Sequence, residues 1–337
     1  MPLFSLFALP IVPNNIPLSL YVHIPWCVKK CPYCDFNSYE KNSFFDEQAY
    51  VNALLADLES EYKYHQHRTL NSIFIGGGTP SLFSADSINR IIEGARQLFR
   101  FNNIETTLEA NPGTFEQEKF NQYREAGVNR LSIGIQSFND KHLKSLGRIH
   151  DTQRARAAIE TAINAGFDNI NLDLMFGLPQ QTKEQALNDI HIAMEYNVPH
   201  ISLYQLTIEE NTYFYKHRPA LPENDSLWEM QTLCQQVLAE HDYHQYEISA
   251  WSKTGKQCVH NMNYWQFGDY IGIGAGAHGK RSEPGNDSAT GNGLSISRQW
   301  KYRQPREYIK QALSGKATAG SRTLKQQDII FCLLYTS

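Results

Sequence analysis

A chain of 337 residues, 41% hydrophobic and 20% charged, has room for one barrel-sized domain and a smaller appendage, and is neither disordered nor membrane-embedded in composition. A net charge of −4, with no local Lys/Arg block, gives no electrostatic case for nucleic-acid binding. Six cysteines, three of them crowded together, do not make a disulfide framework. Thiols kept for a metal cluster must stay reduced, which points to the cytoplasm.

Met1 to Val12 is apolar but lacks a positive flank and an A-x-A-like cleavage pattern, and it contains Pro2 and Pro10. Residues 1–16 are therefore expected to be an unstructured extension, not a signal peptide. No apolar run reaches the roughly 18 residues of a membrane span, so membrane contact, if any, would be peripheral.

Leu18 to Ile24 reads as the first strand, ended by Pro25. Cys27, Cys31 and Cys34 follow with spacings C-x₃-C and C-x₂-C, and no further cysteine comes until Cys234. Three thiolates can hold three corners of a [4Fe–4S] cluster and leave the fourth iron open. A structural zinc site would need a fourth protein ligand, and His23 stands at a spacing unlike zinc patterns. Zinc or redox cysteines are the remaining alternatives.

Asp46 to Tyr64 shows helical spacing, with Tyr50, Leu54, Leu55 and Leu58 on one face. Ser72 to Ile75 is a short strand broken by Gly76-Gly77-Gly78-Thr79-Pro80, and a helix runs through Ile88 to Phe99. Strands recur at Thr106–Ala110, Arg130–Ile135, Asn169–Met175 and His200–Leu206. Helices are expected near Glu116–Ala126, Asp140–Leu146, Thr152–Ala165 and Thr182–Tyr196. Six such units imply parallel strands joined by right-handed crossovers, and six units, not eight, a partial, open (β/α)6 barrel. A doubly wound sheet is the competing topology. Both place ligands at the C-terminal ends of the strands.

After Leu206 the rhythm changes. Asp225–His241 reads as a helix and Tyr246–Trp251 as a strand, with a soft boundary near residue 250 between a barrel (17–250) and a smaller C-terminal region (251–337). Gly285–Gly293 reads as a loop and Arg306–Leu313 as a helix. The end, Asp328 to Ser337, looks cut off.

Polar residues gather where strands end. The triple glycine lets a backbone approach a ligand closely, and its free N–H groups could cradle a carboxylate or amino group. Glu109 and Asn111 close the third strand, and Gln136 and Ser137 follow the fourth. Asp173 lies within the fifth strand, where a carboxylate is costly unless paired. Arg148 could grip a ligand carboxylate bidentately, although a solvated arginine is the default. Gly274-Ala-Gly276-Ala-His-Gly279 matches G-x-G-x-x-G, but no helix can open at the Lys280-Arg-Ser-Glu-Pro284 that follows, so a tight strand–turn is expected. His260-Asn-Met-Asn-Tyr-Trp265 sets a histidine among aromatics: a packed core residue by default, a haem-iron ligand as the alternative.

Cys-x₃-Cys-x₂-Cys after a first strand, with Gly-Gly-Gly-Thr-Pro after the second, resembles the radical S-adenosylmethionine (SAM) superfamily. Tyr21-Val-His-Ile-Pro25, Glu109-Ala-Asn-Pro, Ser132-Ile-Gly-Ile-Gln-Ser-Phe138 and Asn171-Leu-Asp-Leu-Met-Phe-Gly-Leu-Pro179 narrow the resemblance to the oxygen-independent coproporphyrinogen oxidase group. The oxidase proper carries one more cysteine two residues beyond the triad, where this chain has Phe36. Cys31-Pro-Tyr-Cys-Asp-Phe-Asn-Ser38 and His260-Asn-x-x-Tyr-Trp265 are similar to the haem-chaperone branch.

That resemblance implies a [4Fe–4S] cluster on Cys27, Cys31 and Cys34. It implies SAM contacts at Tyr21, Gly77, Gly78, Thr79, Glu109, Gln136, Arg148 and Asp173, and haem on His260. It further implies transfer of haem to acceptor haem proteins, membrane respiratory enzymes among the candidates, and a homodimer. The extension before Pro17 is not part of the family pattern, and the family continues into a longer C-terminal domain.

Overall fold

The computed structural model describes residues 16–41, 45–113, 117–284, 294–325 and 328. The extension up to residue 15, the expected loop 285–293 and nearly all of the final segment lie outside the described residues.

Strand β1 (Leu18–Ile24) leads into β2 (Trp26–Cys27) and β3 (Tyr39–Glu40), a short parallel pair that brackets the cysteine loop. Helix α1 (Glu47–Tyr62) returns the chain to β4 (Leu70–Gly77). The alternation continues through α2 (Ala85–Leu98), β5 (Glu105–Ala110), α3 (Gln117–Glu125) and β6 (Arg130–Gln136). It ends with α4 (Asp140–Ser145), α5 (Thr152–Asn164), β7 (Ile170–Phe176), α6 (Lys183–Glu195) and β8 (His200–Gln205). The order β1-β4-β5-β6-β7-β8 is parallel throughout and never reverses. A doubly wound sheet must reverse its order at a switch point, and these six strands do not.

Several of these helices start where the sequence supplies a cap. Asp46, Ser84 and Asp151 accept from backbone N–H groups in the first turns of α1, α2 and α5, and Thr182 with Gln185 forms a capping box on α6, each worth about 1 kcal/mol. Period-two alternation in the strands then separates two faces. Leu20, Val22, Ile73, Ile75, Leu108, Ile133, Leu172 and Ile201 are buried in the main apolar core, at about 1.5–3 kcal/mol per large aliphatic side chain. The other face is polar. Ser72 bonds Ser19 (2.8 Å), Asn171 bonds Ser132 (2.8 Å), and Ser202 bonds Asn171 (3.0 Å) across neighbouring strands.

Beyond β8 come α7 (Tyr213–Lys216), α8 (Asn224–Glu240), β9 (His244–Gln245) and β10 (Ala250–Ser252). The single strand expected over Tyr246–Trp251 is one only at its end: residues 246–249 turn between β9 and β10, which pair antiparallel, and Ala250 and Trp251 open β10. Tyr246 N–H bonds Ala250 O at 3.2 Å and folds the chain back. Helix α9 (Val259–Trp265) precedes β11 (Asp269–Ile273), β12 (His278–Pro284), β13 (Leu294–Lys301), α10 (Pro305–Leu313) and β14 (Thr318–Thr323). β11 joins the free edge of β1 in parallel, and β12 to β14 extend the sheet antiparallel. The glycine-rich stretch before β12 is a tight turn, with Gly274 and Gly276 at φ 105° and 78°.

The whole is a mixed, largely parallel sheet with flanking helices and a smaller C-terminal region. Among the described residues no helix is long and apolar enough to cross a membrane.

Candidate functional site

A cavity of about 450 Å³ opens at the C-terminal ends of the parallel strands. Its wall includes Cys27, Cys31, Cys34, Gly77, Gly78, Thr79, Glu109, Gln136, Arg148 and Asp173. Ten of the twelve residues singled out in the sequence are thus brought to one place; Tyr21 and His260 are not.

The cysteine loop turns tightly, with Cys34 N–H on Cys31 O at 3.1 Å, and all three thiols are free. Burial pushes the Cys27 thiol up to about 11, against a pull from Thr79, and raises Cys34 as well. Protonated thiols become ligands only when a metal displaces their protons. Among the described residues no three His, Cys, Asp or Glu side chains close around a single ion.

The glycine turn differs from expectation. Its N–H groups are not free: Gly77 donates to Glu109 Oε2 (2.8 Å), Gly78 to Ile24 O (2.8 Å) and Thr79 to Trp26 O (2.7 Å). The backbone there docks the start of the cysteine loop. A Cβ at Gly78 would lie 2.6 Å from Trp26 O, and one at Gly77 2.6 Å from the His23 ring, with Gly77 at φ 118°. Glycine is therefore required at 78 for packing of backbone on backbone, and at 77 by the His23 ring and the positive φ. The chemistry offered to a ligand comes from side chains beside it.

Glu109 is one of these. Burial lifts its carboxyl to about 8 despite the Gly77 N–H, and Asp173 adds repulsion. Arg148 is not a solvated surface arginine: one nitrogen bonds Asn111 Oδ1 (2.5 Å) and Gly134 O (2.7 Å), and the other points at Cys31 Sγ (3.6 Å). Asn111 in turn donates to Thr79 Oγ1 (2.9 Å). Asn111, noticed in the sequence only as a strand-end polar residue, links two wall residues. Gln136 sits at a register shift between β6 and β7 with φ 70°, a costly conformation for a residue with a side chain. Asp173 receives Asn171 Nδ2 on one oxygen (2.8 Å) and Ser132 Oγ on the other (3.0 Å).

His260 lies at the other end of the strands. Its ring is buried at 3% exposure, stacks on Phe74 (4.9 Å between centroids) and meets Tyr264 edge-on (4.9 Å). Nδ1 is 3.4 Å from Ser72 Oγ and Nε2 is 3.1 Å from Tyr264 Oη. Burial, with Arg130 second, lowers its pKa to about 3. Tyr21 stands between the two ends, bonded to His23 Nδ1 (2.9 Å), stacked toward His260 (6.1 Å) and in the field of Glu109.

A parallel β/α sheet with a three-cysteine loop after its first strand and a polar cavity above it defines a class. The chain belongs to the radical SAM superfamily, whose profile matches residues 21–193. Within it, strong homology runs to the HemW branch. The chain is 51% identical over 304 residues to "Heme chaperone HemW" of Haemophilus influenzae, covering 89% of this chain and 77% of the relative. The protein of the same name from Escherichia coli is 50% identical over 294 residues (87% and 76%), and that from Bacillus subtilis 40% over 275 residues (77% and 70%). In fold the chain is similar to the coproporphyrinogen III oxidase HemN of Escherichia coli. That likeness has a TM-score of 0.80 at 23% identity, over 96% of this chain and 75% of that one.

Proposed function

We propose that this protein is a haem chaperone: it binds haem, a [4Fe–4S] cluster and SAM, and passes haem to acceptor haem proteins. The observation that carries this reading is the pairing of a three-thiol cavity with Phe36, not cysteine, two residues beyond Cys34. Cys27, Cys31 and Cys34 would hold the cluster. Gly77, Gly78, Thr79, Glu109, Gln136, Arg148 and Asp173 would surround SAM, with Tyr21 beneath them.

The donor set fits such a ligand. Arg148 and the Asn111–Thr79 bridge offer fixed polar groups, Asp173 has acceptor capacity left for hydroxyl groups, and Tyr204 and Met175 add apolar wall. When bound, the cluster and SAM together can supply reductive radical chemistry, and haem handling requires none of it. We assign haem to His260, whose Nε2 is reachable only if the Tyr264 hydroxyl gives way and α9 shifts from its seat. The barrel-plus-appendage division near residue 250, a cytoplasmic site of action, haem proteins including membrane respiratory enzymes as acceptors, peripheral membrane contact and a homodimer belong to the same proposal.

The test is anaerobic reconstitution followed by hemin titration of wild type and His260→Ala. Haem affinity should fall by roughly tenfold or more with cluster content unchanged; an unchanged affinity and spectrum would remove His260 from the role. A second reading, favoured by the fold likeness to the oxidase, is oxidative decarboxylation of coproporphyrinogen. Turnover of that substrate by the reconstituted protein would replace the first reading.

A further inference from the structure

Beneath Asp173 a line of hydrogen bonds leaves the cavity and runs down the inside of the sheet. Asn171 Nδ2 donates to Asp173 Oδ1 (2.8 Å) and to Ser132 Oγ (2.8 Å). Asn171 Oδ1 faces Ser202 Oγ (3.0 Å) and His200 Nδ1 (2.6 Å). His200 Nε2 meets Tyr246 Oη at 2.7 Å, and Tyr246 Oη accepts from Cys258 N–H, the residue that opens α9, at 3.3 Å. Asn171 and His200 are 2% and 1% exposed, so none of their groups can turn to water instead.

Burial raises the Asp173 carboxyl, against hydrogen bonds from Ser132 and Asn171 and the nearby Arg130 charge. In its ionised form, the one that accepts ligand hydroxyls, Asp173 only accepts, so Asn171 presents its NH₂ and its Oδ1 points down. His200 then carries its proton on Nδ1, its Nε2 accepts from the Tyr246 hydroxyl, and that oxygen accepts from Cys258. Burial, with Arg130 second, holds His200 neutral, as this tautomer needs. Every donor points toward Asp173. Remove the His200 N–H and only Ser202 is left at Asn171 Oδ1, a hydroxyl that can donate or accept equally well. The amide could then rotate and set its oxygen against the carboxylate.

We propose that His200, steadied by Tyr246, is a positioning residue: it fixes the Asn171 amide, and through it Asp173, and so ties the seat of α9 to the cavity. This rests on the reading of the cavity as a SAM site. No sequence pattern marks His200, which stands at the start of β8 at the opposite end from the cavity.

The experiment measures SAM affinity by equilibrium dialysis on anaerobically reconstituted protein, with cluster content and melting temperature recorded for each variant. His200→Phe keeps the ring volume and loses both hydrogen bonds; SAM binding should weaken roughly tenfold with the cluster intact. His200→Gln loses the ring but can still donate to Asn171 and accept from Tyr246, and should recover to within about threefold. Tyr246→Phe cuts only the outer link and should weaken SAM about threefold, while speeding amide exchange at the start of α9. Should His200→Phe fail to fold, Tyr246→Phe carries the test alone. Wild-type affinity in His200→Phe, or in Tyr246→Phe, overturns the positioning role and leaves the SAM site standing. A Gln variant as weak as Phe, at equal melting temperature, makes His200 a packing residue and overturns it too. A fully reconstituted wild type that does not bind SAM overturns both readings together.

Discussion

The two ends of the parallel strands are built on opposite plans. At the C-terminal end, polar side chains line an open cavity and keep capacity for a ligand: Glu109, Arg148 and Asp173 all reach its wall. At the N-terminal end, α9 lies against β4 and β1 as a plug, and its polar groups are spent on the protein. Glu105 Oε1 alone receives Val259 N–H (2.8 Å), His260 N–H (3.4 Å) and the Cys258 thiol (3.4 Å). Both His260 nitrogens have hydroxyl neighbours. One end is organised to bind and the other to close; the residues proposed for haem and for SAM lie on opposite sides of Tyr21.

The sharpest way to break this comparison is at the mouth. Cys31→Ser should abolish assembly of an intact cluster, seen as loss of the iron–sulfur absorption and of iron content after reconstitution, because three thiolates leave no spare ligand. The plug should be untouched: amide exchange across α9 should match wild type. A variant that still assembles a full cluster would mean that Cys31 is not a ligand.

The reverse experiment opens the plug. Glu105→Ala leaves three donors at the start of α9 without their acceptor, and strips buried Arg130 of its carboxylate neighbour at 3.8 Å. We expect a loss of about 2–3 kcal/mol in urea unfolding and fast exchange over Cys258–Trp265, with cluster content retained. If haem binds at His260, it should bind this variant faster, since part of the closing work has been removed. Equal stability to wild type would show that α9 is held by its apolar contacts alone.

The mouth was far more legible in the sequence than the plug. Strands and helices announced themselves by period, and loops that follow parallel strands carry the ligands in any such sheet, so a list of strand-end polar residues came close to the cavity wall. The glycine turn was misread in detail because its N–H groups find partners in Ile24, Trp26 and Glu109, contacts that only the folded sheet creates. Nothing near Asn171 or His200 in sequence hints at Tyr246 or Cys258, which arrive from 46 and 12 positions further along the chain in turn. β11 was hidden for the same reason: Tyr270-Ile-Gly-Ile273 is short and glycine-flanked, and becomes a strand because β1 offers it an edge. The bland reading of His260 as a packed ring describes its resting place, and only the family motif draws haem to it.

The smallest effect is a difference in pH response between the two ends. Glu109 titrates near 8 in the fold against an ordinary 4.5, so its contribution is fully present below 4.5 and is lost as pH rises through 8: the unfolded chain releases this proton first. His260 titrates near 3 against an ordinary 6.5, so its contribution is present above 6.5 and is lost as pH falls through 3, because the unfolded chain takes up the proton first. Glu109 thus makes the mouth sensitive to base, and His260 makes the plug sensitive to acid. Between pH 5 and 8, Glu109→Gln should flatten the decline in ligand-free melting temperature, by about 2 kcal/mol at the upper end once the carboxyl's partial access to cavity water is allowed for. Below about pH 4.5 the Gln variant should track wild type, since the acid limb belongs to buried histidines, His260 with His65 and His150. Parallel curves for Glu109→Gln and wild type across pH 5–8 would place the Glu109 carboxyl in water and remove the electrostatic half of the contrast between the two ends.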